Sequence, residues 1–246
     1  MLTGGGVAAG HPETAEAGAR ALREGGNAVD AAVAAVGASL VAESPLTGLG
    51  AGGYMLVHRP GEEPVLLDFF VAAPGRGAIE RGSELMPVEI DFGGATQVFN
   101  VGAASCGVPG VPSGLADAAG RFGSMPLRVL LERGVELARD GVVLNREQAY
   151  LLALLDPILT REPAGMAIYR PRGGILSEGD VVRFPELVET IGLLGAEGAD
   201  PFYRGEIAAA MSDAVIAGGG ELSREDLAGY ETATRPPVRA SFRGRQ

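Results

Sequence analysis

Apolar positions first recur at helical spacing after Pro12, where Ala15, Ala19 and Leu22 share one stripe and predict a helix that stops at Gly25-Gly26. A second helix is predicted over residues 27–42, capped by Asn27. Its Val29, Val33, Val36 and Leu40 sit among alanines on nearly every face, which marks it as buried. The glycine run 48–53 leads into a strand pattern at 54–58, and after Pro60-Gly61 comes a second at 65–71, so the two read as a hairpin-like pair. Residues 75–94 are broken by glycine and polar positions and read as a surface excursion near a site mouth. A strand at 97–101 precedes the Gly/Pro turn 107–112, followed by a helix over 113–121 with Ser113 as its cap. Amphipathic helices are predicted over 126–139 and 145–155, separated by Asp140-Gly141, with further helices over 185–194 and 204–217. Ser223 caps a short helix within 222–227, and a last strand is expected from Pro237 to Phe242. No repeat or polar linker divides the pattern, so residues 1–246 are expected to form a single domain of layered α/β or α+β class.

Composition narrows the function. The chain has 246 residues, 46% of them hydrophobic, enough to bury a substantial core. Its formal charge is −11, and all 20 basic residues are arginine, so it has no cationic surface of the kind that neutralises phosphates, and nucleic acid is not an expected partner. Cys106 is the only cysteine, which rules out an intrachain disulfide, and no Cys/His spacing suits zinc. No metal or cofactor is expected. The longest weakly polar run, 31–42, is too short for a bilayer span of roughly 20 residues. The first residues have neither a basic nor an apolar leader region. The expected location is therefore cytoplasmic, or periplasmic or secreted if a signal has been removed.

Most single motifs here have plain readings. Gly48-x-Gly50-x-x-Gly53 matches a dinucleotide fingerprint in spacing, but it follows a helix and opens a strand, the reverse of what pyrophosphate binding needs. The glycines are better explained by close packing or positive φ. His11 and His58 are the only histidines, and no Gly-x-Ser-x-Gly elbow accompanies them. Cys106, in an apolar stretch without a basic neighbour, reads as an inert buried thiol. Glu62-Glu63 and Glu225-Asp226 read as solvated turn and helix-start acids. Asp30, inside an apolar helix, needs partners and implies a structural hydrogen-bond network.

Taken in order, several blocks resemble the γ-glutamyltransferase family: Gly25-Gly26-Asn27-Ala28-Val29-Asp30-Ala31-Ala32, Thr47-Gly48-Leu49-Gly50-Ala51-Gly52-Gly53-Tyr54 and Gly107-Val108-Pro109-Gly110. So do Leu137-Ala138-Arg139-Asp140-Gly141, Phe202-Tyr203-Arg204-Gly205 and Glu225-Asp226-Leu227-Ala228-Gly229-Tyr230. The resemblance implies the large-subunit half of an N-terminal-nucleophile hydrolase, a four-layer αββα sandwich, cut from a precursor by self-cleavage. It implies a small subunit from the same precursor as partner, with higher oligomers open. The catalytic nucleophile would be an N-terminal threonine on that small subunit, which forms an acyl-enzyme, so no catalytic residue is expected in this chain. One position departs from the family. Where it usually carries Asp-x-Arg-Glu-x-Ala-Pro, with the arginine gripping the α-carboxylate of a γ-glutamyl group, this sequence has Asp68-Phe69-Phe70-Val71-Ala72-Ala73-Pro74. A phenyl ring cannot make an arginine's bidentate bonds to carboxylate. The implied substrate is a small-molecule amide whose acyl group is not γ-glutamyl, bound against Phe70 and Val71. The alternatives are a true γ-glutamyl enzyme in which Arg76 has taken over the carboxylate, and a non-catalytic scaffold of the same fold.

Overall fold

The computed structural model describes residues 4–77 and 85–244. Helix α1 (Pro12–Arg23) starts with proline in its first turn, and His11 caps it by accepting from the Glu13 amide through Nδ1 at 3.1 Å. Helix α2 (Ala28–Ala42) begins with a reciprocal capping box between Asn27 and Asp30. Its Val33, Ala38, Leu40 and Val41 are buried, as expected of a helix apolar all round. Strands β1 (Gly53–Val57) and β2 (Val65–Phe69) pair antiparallel, with Tyr54 opposite Asp68 and Leu56 opposite Leu66.

The excursion at 75–94 is only partly irregular. It contains β3 (Met86–Asp91), which pairs with β4 (Thr96–Val101), and the Asp91 carboxylate closes the turn by accepting from the amides of Gly93 and Gly94. Residues 78–84 of that stretch lie outside the described residues. Helix α3 (Val111–Phe122) starts two residues before its expected point, with Gly110 rather than Ser113 at the cap, because Pro112 fits the first turn. The predicted helix at 126–139 is divided at Leu131 into α4 (Leu127–Leu130) and α5 (Glu132–Asp140).

Strand β5 (Val142–Val143) precedes α6 (Arg146–Leu159), whose Asn145–Gln148 capping box fixes its start. An unforeseen α7 (Pro163–Tyr169) follows, and then β6 (Val181–Val182), which pairs with β5. Helices α8 (Pro185–Glu197), α9 (Asp200–Tyr203) and α10 (Glu206–Ala217) come next; the helix expected from 204 starts two residues later, after Arg204-Gly205, and α9 was not foreseen. Ser223 caps α11 (Arg224–Ala228) in another capping box. The last strand is β7 (Ala233–Arg235), not 237–242. Pro236 and Pro237 have no N–H to give a ladder, so pairing ends just before them.

The main sheet has the order β1-β2-β7. Leu67, Phe69 and Val57 point to its inner face, where a core that includes Leu115, Leu131, Leu152, Ile191 and Leu194 excludes water. The other face is open: Tyr54 and Leu56, on alternate positions of β1, are 58% and 59% exposed.

Candidate functional site

The backbone at the end of β2 is held by close approaches that only glycine permits. A Cβ at Gly110 would land on the carbonyl of Phe69, one at Gly114 on the Phe69 ring, and one at Gly52 against the Val71 amide. Within the glycine run after α2, Gly52 and Gly53 therefore serve close packing while a Cβ at Gly50 would meet open space, and none of the run's residues has a positive φ. The Ala51 carbonyl accepts from the amides of Gly110 and Val111 at 2.9 and 3.1 Å, and Ala72 and Val108 exchange two backbone hydrogen bonds at 3.2 and 2.8 Å. The two glycine blocks of the sequence thus meet around residues 69–72.

Phe70 leaves this cradle toward the open face. It is 52% exposed and stacks on Tyr54, with ring centroids 5.5 Å apart and planes 13° from parallel. Val71 beside it is 38% exposed. Below them the Asp68 carboxylate accepts from the Phe70 amide at 3.1 Å and from Arg235 Nε at 2.5 Å. Those two contacts, the amide first, hold its pKa below the usual value. Arg76 is displaced from this group. Its backbone N–H donates to Asp226, and its guanidinium Nη1 donates to the Gly229 carbonyl at 2.6 Å. Phe70 and Val71 are thus adjacent, whereas Arg76 is tied to the segment after α11.

That segment organises the site and escaped local pattern reading. Asp226 is not a solvated helix-start acid, being only 2% exposed. Its carboxylate accepts from the amides of Gly75 and Arg76 at 2.8 and 2.7 Å and from Ser223. Burial raises its pKa, but the hydrogen bonds from Ser223, Arg76 and Gly75 outweigh it and leave the value lowered. Tyr230 donates its hydroxyl to the Phe70 carbonyl at 2.8 Å and stacks on Tyr203 with centroids 5.4 Å apart. Burial, helped by Asp68, pushes the Tyr230 phenol up to about 12. Tyr203 in turn donates to the Pro109 carbonyl and accepts from the Ser113 amide. The signal that could have found these residues is the Glu225–Tyr230 block itself, but their partners lie about 150 residues away and carry no local mark.

Asp30 forms the network its burial demanded. It accepts from the amides of Asn27, Ser124 and Met125 and from the Ser124 hydroxyl. Cys106 departs from expectation. It lies exposed at the surface, although partial burial of its sulfur still pushes the thiol pKa up, so no thiolate is favoured. No group of three or more His, Cys, Asp or Glu that could hold a metal occurs among the described residues. No described helix is long and apolar enough to cross a membrane.

The gamma-glutamyltranspeptidase family profile matches residues 14–246. The acylase ACY 1 proenzyme of Pseudomonas sp. (strain SE83) is 34% identical over 240 residues, 97% of this chain and 43% of that protein. The glutathione hydrolase proenzyme of Bacillus subtilis (strain 168) is 30% identical over 245 residues, 98% of this chain and 40% of its own length. The crystal structure of Helicobacter pylori gamma-glutamyltranspeptidase superposes with a TM-score of 0.85 at 30% identity, covering 98% of this chain and 68% of that one. The chain therefore spans less than half the length of these two curated relatives.

Proposed function

The chain belongs to the gamma-glutamyltranspeptidase family, whose fold is that of N-terminal-nucleophile hydrolases, and from that membership we propose that it is the large-subunit part of a self-processing amidohydrolase or acyltransferase. The remainder of the precursor, as small subunit, supplies an N-terminal threonine whose hydroxyl attacks the amide carbon while its α-amine takes the proton. The acyl group stays on the threonine, the amine leaves, and water or an acceptor amine then releases the acyl group. This chain contributes one wall of the acyl pocket.

The observation that carries the specificity reading is Phe70. It stands where the family's carboxylate-gripping arginine is expected, and it presents an aromatic surface shared with Tyr54. An apolar wall favours an acyl group without an α-carboxylate, because it offers that charge no donors. Similarity to an acylase proenzyme supports the same reading. Relocation of the carboxylate grip to Arg76 has less support, since that guanidinium is already engaged by Gly229. The test is Phe70→Arg in the full-length product, assayed with a γ-glutamyl anilide. A gain in kcat/KM of roughly tenfold or more, about 1.4 kcal/mol, is expected as the fork is restored. An unchanged value would remove Phe70 as the determinant.

A further inference from the structure

Phe70 lies just past the end of its strand's ladder. The last β1–β2 pair is Gly53 with Phe69, so the N–H and C=O of Phe70 have no strand partner, and side chains take that place. The Asp68 carboxylate accepts from the Phe70 amide at 3.1 Å, and the Tyr230 hydroxyl donates to the Phe70 carbonyl at 2.8 Å. The ring is held as well, stacked on Tyr54. Behind it the backbone rests on Gly52, where a Cβ would meet the Phe70 carbonyl carbon and the Val71 amide. A half-exposed side chain is thus fixed at its amide, its carbonyl and its ring. Such fixing costs conformational freedom that an ordinary surface residue keeps, and it is what a pre-organised binding wall requires.

Of the three anchors, Asp68 and Tyr54 belong to the hairpin itself, whereas Tyr230 comes from the segment after α11. Its position is set from elsewhere in the fold. The Tyr230 ring stacks on Tyr203 with planes 8° from parallel, and the Tyr203 hydroxyl is tied to the Pro109 carbonyl and the Ser113 amide at the start of α3. Gly110 leaves the room this needs, since a Cβ there would meet the Tyr230 hydroxyl. Burial, helped by Asp68, pushes the Tyr230 phenol up to about 12, so it keeps its proton and stays a donor through the neutral range. One line of contacts therefore runs from the start of α3 through two stacked tyrosines to the backbone of Phe70.

We propose that Tyr230 is a positioning residue for acyl selectivity: through the Phe70 carbonyl it fixes the height and tilt of the Phe70 ring, and so sets how large and how flat an acyl group the site admits. This role rests on the acyl-pocket reading above and adds the group that places the wall. Without the hydroxyl, the Phe70 carbonyl turns to water and the ring samples a wider arc. An acyl group long enough to reach the ring then loses its contact, and a short one does not.

The test compares the full-length gene product with its Tyr230→Phe variant, which keeps the ring on Tyr203 and removes only the hydroxyl. Both are assayed with the 4-nitroanilides of acetyl, hexanoyl and phenylacetyl groups. The ratio of kcat/KM for phenylacetyl over acetyl should fall by roughly fivefold or more, carried by KM rather than kcat. The fall should vanish in a Phe70→Leu background, where the ring to be placed is gone. Tyr150→Phe, which removes an exposed hydroxyl on α6, should leave the ratio as it is. An equal loss on all three anilides, or a fall that keeps its full size in the Phe70→Leu background, would mark Tyr230 as structural only and overturn the proposal. Where Tyr230→Phe does not fold, Tyr203→Phe loosens the ring that Tyr230 stacks on and should lower the same ratio; an unchanged ratio overturns the proposal there too. Hydrolysis with unchanged ratios would remove this role and leave the enzymatic reading standing. No hydrolysis of any anilide would remove both.

Discussion

Asp30 and Asp226 show how single buried carboxylates organise this chain. Each gathers four donors, some from its own helix start and the rest from one distant segment, and each has its pKa lowered although burial alone would raise it. Replacing Asp30 with alanine removes the buried acceptor that holds the amides of Asn27, Ser124 and Met125. The expected cost is about 2–4 kcal/mol, read as a lower urea midpoint. Because the folded pKa of each is below the ordinary value of 3.8, its stabilisation is complete above that value and is lost as pH falls through the folded one. The urea midpoint should therefore decline as pH drops below about 4, and Asp30→Asn should flatten part of that decline. At this scale Asp30 was legible, since a charge inside an apolar helix demands partners. Asp226 was not, because its cap position satisfied local reading while its further role depends on amides 150 residues back.

Among the elements, the ones fixed by local chemistry were readable. These are α1 with its proline start, α2 and α6 with their asparagine caps, and the β1-β2 pair set by alternation and the Pro60-Gly61 turn. The ones fixed by tertiary context were not. Strand β7 takes its identity from pairing with β2, which only three residues before Pro236 can supply. Strand β3 exists because β4 pairs along it. The glycine loop shows the same division. A Cβ at Gly50 meets open space and its φ is not positive, so Gly50→Ala should change stability by less than about 0.5 kcal/mol. Gly52→Ala drives a methyl into the backbone at Phe70 and Val71 and should cost about 3 kcal/mol or more. Comparing the thermal midpoints of the two variants checks whether close approach is the reason for those glycines.

For the whole molecule, the face that carries Tyr54, Leu56 and Phe70 is exposed, whereas Val57, Leu67 and Phe69 on the other face are buried. The family blocks were readable from sequence because their glycines and caps recur in order. The exposure of Tyr54, Leu56 and Phe70 was not, because alternation along a strand marks two faces without saying which one is covered. The central claim is that the chain is one part of a self-cleaving precursor. It is tested most directly by the intact mass of the purified full-length product, with N-terminal sequencing of its fragments. Two fragments, the smaller beginning with threonine, are the predicted result. A single uncut chain, or a smaller fragment beginning with a residue that has no nucleophilic side chain, would contradict it.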